Sequence, residues 1–343
     1  MSDDILDMML RTVDRLVAGE ATRDMREGAD GGALPERLWQ AMETAGITDA
    51  DTIDDDMTGP TEMQALVRHV ARHALPVPLA EVMAARRLLK AAGLAEAAEG
   101  LTGIGVGDAG GMSLDGGRLT GTLRRVPFGR HLSQVVFAAR DGNGAEHIVV
   151  AARPASVSAD VNLAGEARDD LTFAGDAPVA SAAVEGAADQ VLAMGAAFRA
   201  VQIAGALSGA LVQVLTYAGE REQFGRPIGK FQAVQHMLAV LAAETAAASA
   251  AAGIGFAEDG SSSALRAALA KSRAGQAATE GAALAHQIMG AMGFTREHPL
   301  HYQTRRLWSW RDEFGNEAMW QERLGREIAG RGGDALWPML TSL

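Results

Sequence analysis

Between two long alanine-rich segments the chain reads Glu220-Arg221-Glu222-Gln223-Phe224-Gly225-Arg226-Pro227-Ile228-Gly229-Lys230-Phe231-Gln232. Gly225 and Pro227 are typical of a helix end, because glycine adopts the left-handed conformation that closes a helix and proline cannot continue one. We therefore predict that one long helix ends near Gln223 and that the next begins near Lys230. The segment is predicted to be a break between two helices of one helical region.

This segment and a second one carry groups suited to a pyrophosphate. Arg221 and Phe224 are three residues apart, so on a helix they would share a face. The guanidinium can hold a phosphate through two hydrogen bonds. The second segment reads Gln287-Ile288-Met289-Gly290-Ala291-Met292-Gly293-Phe294, and its small residues would let the backbone approach a ligand and expose N–H groups. The alternative interpretation is a solvated arginine, a core phenylalanine and a glycine-rich helix end.

The chain as a whole is predicted to be helical, then extended, then helical. Residues 3–94 show helical spacing of apolar residues, whereas residues 98–185 are rich in glycine, with short alternating runs separated by turn signals. From about residue 186 the pattern predicts four or five long helices. We expect a mainly α chain with a small central antiparallel β domain. The predicted domains are an N-terminal helical domain (1–97), a middle β domain (98–185) and a C-terminal helical bundle (186–343).

Composition limits the classes of function. Acidic residues number 43 against 31 basic ones, a net charge of −12 that argues against a nucleic-acid surface. The N-terminus is acidic, unlike a signal peptide, and charges and glycines interrupt every apolar run, so no membrane span is expected. The chain has no cysteine, which excludes disulfide and thiol chemistry, and a cytoplasmic protein is the simplest expectation. No metal site is predicted, and His286, His298 and His301 are interpreted as structural.

With this order of elements, the two segments resemble the flavin-contacting segments of the acyl-CoA dehydrogenase family, most specifically over residues 186–328. The resemblance implies an α–β–α architecture with a C-terminal four-helix bundle. It also implies that the arginine and phenylalanine reach the adenosine diphosphate part of an FAD bound mainly by a neighbouring subunit. The second segment is similar to the family's Gln-x-x-Gly-Gly-x-Gly-Phe, with alanine at the second glycine. The implied cofactor-binding residues are Arg221, Phe224, Gln232, Gln287, Gly290 and Ala291.

Near the C-terminus, Glu313 and Glu317 reproduce the spacing of the family's Tyr-Glu-Gly-Thr-Ser-Glu string. This resemblance implies that Glu313 is the base that takes the α-proton of an acyl thioester while the flavin takes the β-hydride. The sequence departs from the string at Asp312, which replaces tyrosine, and at Phe314, which replaces the small glycine. Acidic residues flanked by arginines are also typical of an ion-pair network, so both interpretations of Glu313 remain open.

The middle region lacks the residues with which the family holds the flavin ring. Residues 105–111 and 123–129 stand where catalytic members carry a Thr/Ser-Glu-Pro segment and a Lys-x-Trp-Ile-Thr/Ser segment, and they contain no Trp, Thr or Ser. A set of hydrogen bonds to the flavin N5 and O4 edge cannot be assembled from them. Phe128 or Arg125 would fill the ring pocket instead.

Half of an FAD site is therefore present, and three hypotheses follow. The first is one subunit of an unequal-subunit (α2β2) acyl-CoA dehydrogenase, with a second acyl-CoA dehydrogenase chain as partner. It would act on a bulky acyl-CoA such as a steroid side-chain fragment, and its electrons would pass to an electron-transfer flavoprotein. The second is a self-sufficient homotetrameric acyl-CoA dehydrogenase with Glu313 as base. The third is a flavin-free helical interaction protein.

Overall fold

The computed structural model describes residues 2–49, 60–257 and 262–341. The first helices bury apolar stripes such as Met9 and Val13, as their spacing predicts. In this part of the chain the helices are α1 (Ser2–Glu20), α2 (Arg23–Ala29), α3 (Glu36–Thr44), α4 (Pro60–Arg72) and α5 (Leu79–Ala91).

The middle region forms one sheet. β4 turns Leu119 and Leu123 inward, whereas β5 and β6 each contain four consecutive buried residues. The order along the sheet is β7-β8-β4-β3-β5-β6-β9, with β1 beside β5 and β2 beside β4. The strands are β1 (Thr102–Ile104), β2 (Val106–Gly107), β3 (Ser113–Asp115), β4 (Arg118–Pro127), β5 (Gln134–Asp141), β6 (Glu146–Ala152), β7 (Ser156–Ser158), β8 (Arg168–Asp176) and β9 (Ala180–Ala183).

The sheet is mixed, which corrects the expectation of a purely antiparallel domain. Most pairs are antiparallel, but β5 runs parallel to both β1 and β3. The reason is the path of the chain: β4 reverses direction after β3, and the turn at Gly129–His131 reverses it again. Short-range alternation predicts strands but not which earlier strand a later one lies beside.

The chain then returns to helices, and the predicted mainly α architecture with a central β region is confirmed. The helix end predicted at Gly225 and Pro227 contains a short hairpin, so the preceding helix ends at Glu220 rather than at Gln223. Ser263 caps the third long helix, since its side chain accepts from Arg266 N. The elements are α6 (Ala187–Glu220), β10 (Glu222–Gln223), β11 (Arg226–Pro227), α7 (Gln232–Gly253), α8 (Ala264–Met289), α9 (Leu300–Asp312), α10 (Glu317–Arg331) and α11 (Leu336–Thr341).

Helix α6 is the central element of the fold. Two of its glycines face the end of α4 so closely that an added Cβ would lie 2.3 Å from Arg68 O at Gly205 and 2.2 Å from Arg72 O at Gly209. Among the described residues α6 is the one helix long and apolar enough to cross a membrane, contrary to the expectation that charges interrupt every such run. Because 89% of its most apolar window is buried, its apolar surface is covered by the fold itself.

A single hydrophobic cluster joins the helices to the sheet. It contains Met9 from α1, Val136 from β5, Phe198 from α6 and Trp310 from α9. The three predicted regions therefore share a core, and their separation into domains at 97 and 185 stays a prediction.

Candidate functional site

Arg221 and Phe224 do not share a helix face, because α6 ends one residue before Arg221. Arg221 is the cap of α6 in an extended conformation, and its N–H donates to Tyr217 O at 2.8 Å. Phe224 and Gly225 form the two-residue loop between β10 and β11, with φ of 53° and 78°. Two consecutive positive φ values are typical of a hairpin turn that matches strand twist. The prediction of an i, i+3 pair on one helix was therefore wrong.

The hairpin presents its side chains to the outside. Phe224 is 93% exposed, and Arg221 is exposed without a side-chain hydrogen bond or ion pair to any described residue. Arg226, by contrast, covers the ring of Phe231, with its Cζ 4.2 Å from the ring centre. Gln232 is exposed in the first turn of α7. Phe224 contacts Phe231 edge to face, with ring centres 6.1 Å apart, but most of its side chain stays exposed. A cation and an exposed aromatic ring are thus present at this end of the bundle.

The second segment lies at the same end of the bundle. Ile228, just after the hairpin, packs against the cluster that contains Ile288 and Met289, and α8 ends at Met289. Gly290 then adopts φ 58° and ψ −142°, a conformation that is essentially limited to glycine. Gln287, Gly290 and Ala291 are exposed, as are the residues of the hairpin loop, so all six predicted cofactor residues lie on the surface of this chain.

The three histidines of this region have partners within the chain. His286 stacks on Phe294 at 4.5 Å between ring centres and lies 3.1 Å from Thr304 Oγ1, and burial lowers its pKa. His298 accepts from the N–H of Leu300, and His301 Nδ1 lies 2.9 Å from His298 O. These contacts agree with a structural role, and in the described part of the chain no hydrogen bond or ion pair joins any of the three side chains to a carboxylate.

Glu313 is held by two buried arginines. Its Oε1 accepts from Arg168 Nε at 2.7 Å, its Oε2 accepts from Arg199 Nε at 2.7 Å, and Asn162 Nδ2 donates to Oε1 at 3.1 Å. Burial alone would raise the pKa of Glu313, but the charges of Arg168 and Arg199 outweigh it and lower that pKa to about 2. The carboxylate is therefore a poor proton acceptor, and the structure favours the ion-pair interpretation over the catalytic one.

Glu313 is the centre of a chain of alternating buried charges. Arg199 Nη2 lies 2.7 Å from Glu81 Oε1, Arg168 Nη2 donates to Glu166 Oε2 at 2.9 Å, and Arg306 Nε lies 2.9 Å from Glu166 Oε1. These six side chains come from α5, α6, the loop before β8, β8, α9 and the turn after α9. The network therefore joins the N-terminal helices, the sheet and the C-terminal bundle.

A cavity of about 340 Å³ lies beside Glu313, between the sheet and α9. Its sheet side is formed by Val106, Gly107, Arg124, Arg125 and Pro127, and none of these side chains offers a hydroxyl or an indole. Among these, Arg124 and Arg125 are engaged, with Arg124 Nη1 donating to Asp170 Oδ2 at 2.5 Å and Arg125 Nη1 to Asp160 Oδ2 at 3.2 Å.

Of the two residues expected to fill the ring pocket, Arg125 does line the cavity, whereas Phe128 is buried below it. Arg168 lies over the ring of Phe128, with Cζ 5.8 Å from its centre. On the helical side Phe314, with φ 54°, lines the cavity where the family carries a small glycine. The exposed residues of this chain suit the nucleotide part of FAD. The sheet side of the cavity offers no hydroxyl or indole to the ring, whereas Trp308 and Ser309 line its helical side.

Known proteins similar to this chain belong to one family. A family model described as the acyl-CoA dehydrogenase C-terminal domain matches residues 186–328. The chain is also 33% identical over 277 residues to acyl-CoA dehydrogenase FadE34 of Mycobacterium tuberculosis, covering 77% of this chain. This chain belongs to the acyl-CoA dehydrogenase family. It spans 37% of the length of FadE34, so more than half of that relative lies outside the match.

Two solved structures share the acyl-CoA dehydrogenase fold over almost the whole chain. The ChsE4-ChsE5 complex from Mycobacterium tuberculosis has a TM-score of 0.82 at 23% identity and covers 94% of this chain and 97% of its own. The Tcur3481-Tcur3483 steroid ACAD G363A variant has a TM-score of 0.82 at 21% identity and covers 96% and 99%. At these identities the likeness concerns the fold.

Proposed function

We propose that this chain is one subunit of an FAD-dependent acyl-CoA dehydrogenase built from two different chains. It lends its exposed hairpin and the end of α8 to the nucleotide part of an FAD whose ring is held by the partner chain. One observation carries the proposal: Arg221, Gln287 and Gly290, which suit the nucleotide, are exposed. By contrast, Arg124, Arg125 and Glu313 beside the ring position are bound in ion pairs within the chain.

The chemistry of the exposed residues supports a contact with the nucleotide part of FAD. The guanidinium of Arg221 can hold two phosphate oxygens at once, and nothing among the described residues competes for it. Phe224, 93% exposed, offers an apolar plane next to it. Gly290 allows the backbone to approach a pyrophosphate without a side chain in the way, and Gln287 lies one turn earlier on α8.

The second part of the argument concerns the flavin ring, which we propose is held by the partner chain. A flavin supplies hydride acceptance in α,β-dehydrogenation of an acyl thioester, and its ring needs hydrogen-bond donors and room. In this chain Arg125 lines the sheet side of the cavity in an ion pair with Asp160, and Phe314 lines the helical side. The indole and the hydroxyl that line the cavity, Trp308 and Ser309, both come from α9 and not from the sheet. Glu313, with a pKa of about 2, is bound to Arg168 and Arg199 and does not take the α-proton. We infer that the base comes from outside this chain.

The exposed apolar side chains of α7 are evidence for a partner subunit. This helix is apolar on all sides, but the side chains buried within the chain form a single stripe, namely Leu241, Thr245, Ala248 and Ala252. Val240 on α7 and Val212 and Leu215 on α6 are 44%, 44% and 48% exposed. A helix that is apolar all round is normally buried, so we infer that this face of the bundle lies against another subunit.

The substrate class is inferred from the similar structures. Because one of them is named a steroid ACAD, we propose a bulky acyl-CoA, such as a steroid side-chain fragment, as substrate of the complex. An electron-transfer flavoprotein is proposed as the electron acceptor, as in the family. A nucleic-acid partner is disfavoured by the net charge of −12.

The decisive experiment is flavin quantitation on two preparations, the chain alone and the chain co-purified with a second acyl-CoA dehydrogenase chain. We expect the chain alone to be colourless and the complex to contain fewer flavins than subunits, with dehydrogenase activity on a panel of CoA thioesters. Flavin near one per chain in the chain alone would instead establish the self-sufficient homotetramer. A colourless and inactive complex, or failure of every such chain to bind, would establish the flavin-free interaction protein.

A further inference from the structure

Away from the site above, α1 and the end of α4 bring together one carboxylate and two imidazoles. His69 Nε2 and His73 Nε2 lie 2.8 Å and 3.0 Å from the same oxygen, Asp14 Oδ1. The possible ligand atoms of the three residues all lie within 4.8 Å of one another. We propose that Asp14, His69 and His73 bind one divalent transition-metal ion of the Zn²⁺ class, which ties α1 to α4.

The donor set determines the class of ion. Two imidazole nitrogens and one carboxylate oxygen suit Zn²⁺, Co²⁺ or Ni²⁺, whereas Mg²⁺ and Ca²⁺ prefer oxygen ligands alone. Three protein ligands leave a fourth position for water. Metal–ligand bonds of about 2.0–2.1 Å in a tetrahedron place neighbouring ligand atoms roughly 3.4 Å apart. The two N···O distances must therefore open by about half an ångström, and the half-exposed side chain of Asp14 has the freedom to move.

Proton balance at the site is simple. Without an ion, each Nε2 carries a proton and donates it to Asp14, and the two imidazole rings lie edge to face with centres 5.0 Å apart. To bind a metal, each ring must present the lone pair of Nε2 and carry its proton at Nδ1. The ion then replaces the two hydrogen bonds to Asp14 with three coordinate bonds.

The two histidines are held by a rigid part of the fold. Gly205 and Gly209 on α6 let the last turn of α4 lie against the backbone of α6, which fixes the opposite side of that turn. His73 follows directly after α4, and the next residue, Ala74, has φ 51° and accepts a hydrogen bond from Arg26 Nη1 at 2.9 Å. Ligands that are already positioned lose little entropy on binding a metal. Burial lowers the pKa of His73, and the charges of His69 and Arg72 lower it further. The positive charge of Arg72 also opposes a cation and limits the affinity.

The sequence contained only part of this signal. His69 and His73 have the i, i+4 spacing that puts two imidazoles on one side of a helix, but no set of histidines and carboxylates in the sequence was judged to have a convincing metal-ligand spacing. Asp14 lies 55 residues before His69, and only the packing of α1 on α4 brings it close.

The test is a titration of the full chain, or of its complex, with ZnCl2 after treatment with a chelator. We expect saturable binding of about one ion per chain by calorimetry and a rise in Tm that depends on the Zn²⁺ concentration. Asp14→Asn keeps an oxygen that accepts both histidine hydrogen bonds, so the fold is retained while a charged ligand is lost. This variant and His73→Gln should each bind Zn²⁺ at least about tenfold more weakly and lose the rise in Tm.

His147→Gln is the matched control. His147 faces a single carboxylate, with Nε2 3.2 Å from Asp141 Oδ2, and the variant should bind Zn²⁺ as the parent chain does. The proposal is overturned if the parent chain shows no saturable binding. It is equally overturned if Asp14→Asn and His73→Gln bind as tightly as the parent, because the ion would then lie elsewhere.

Discussion

Arg199 Nε donates to Glu313 Oε2 at 2.7 Å, and Nη2 of the same guanidinium lies 2.7 Å from Glu81 Oε1. A side chain from the middle of α6 thus binds the carboxylate at the position that the family's base occupies. Because a buried cation needs anionic partners, Arg199 and Glu313 stabilise each other's charged forms. This relationship supports the interpretation of Glu313 as an ion-pair residue.

The first prediction concerns Glu313→Gln. Removing one charge from a buried network leaves two arginines with fewer anionic partners, and we expect the free energy of unfolding to fall by about 3 kcal/mol in urea titrations. Asp312→Asn is the control, because that side chain is exposed and its arginine contact is long, at 3.8 Å. It should change stability by less than about 0.5 kcal/mol. A catalytic Glu313 would show the opposite pattern, with full stability and no turnover.

Acid should weaken the same network. The pKa of Glu313 is lowered from 4.5 to about 2 in the folded chain, so between these values the unfolded chain binds more protons than the folded one. The stabilising contribution of this carboxylate is complete above pH 4.5 and is lost as the pH falls towards 2. Urea midpoints measured from pH 6 to pH 3 should fall more steeply for the parent chain than for Glu313→Gln. Equal slopes would contradict the assignment.

Because of Lys271, the free energy of unfolding should rise as the pH increases above about 7. Its side chain is fully buried, Nζ donates to Arg311 O at 2.5 Å and Gly315 O at 2.8 Å, and burial lowers its pKa from 10.5 to about 7. Between these values the unfolded chain holds a proton that the folded chain has lost, so stability rises with pH by up to about 1.4 kcal/mol per pH unit.

Unfolding titrations from pH 7 to pH 9.5 test this sign. Lys271→Met should lower stability throughout, because two backbone carbonyls lose their donor, and should flatten the rise. Lys230→Met is the control, since Lys230 is exposed, and it should keep the rise. A parent chain whose stability falls over this range would show that the buried lysine stays charged.

The close contact between α6 and α4 predicts opposite effects for two glycine substitutions on one helix. Gly205→Ala places a methyl group 2.3 Å from Arg68 O, which forces the helices apart and should cost about 2 kcal/mol. Gly219→Ala meets no atom within 4 Å and should stabilise α6 by up to about 1 kcal/mol, because alanine is the better helix former. Thermal unfolding of the two variants measures whether each substitution lowers or raises the stability. If Gly205→Ala were more stable than the parent chain, the close contact between α6 and α4 would be wrong.

The features that the sequence predicted correctly depend on local chemistry. The mainly α fold and the break around Gly225 and Pro227 each follow from a few neighbouring residues. The extent of α6 was overestimated by three residues, because Gln223 pairs in a hairpin that no helical periodicity can reveal. The parallel pairing of β5 depends on the path of a longer segment.

The buried network shows where prediction from sequence stops. Glu313 was singled out, but Arg168 and Arg199 lie 145 and 114 residues before it, and only the packed fold brings them together. One local signal was present: Arg199 stands alone in an apolar stretch of α6, where a charge needs a buried partner. The identity of that partner requires the structure.

The central claim is that Arg221 reaches a flavin nucleotide bound mainly by another chain, and the most direct measurement is the flavin content of complexes that carry Arg221→Ala or Arg226→Ala. Both arginines lie in the same exposed hairpin region, but Arg226 covers Phe231 while Arg221 has no partner among the described residues. We expect Arg221→Ala to weaken FAD binding by tenfold or more, as loss of a charge-assisted contact of about 1.5–3 kcal/mol implies, and Arg226→Ala to leave it unchanged. Equal flavin content in the two complexes at limiting FAD would contradict the account.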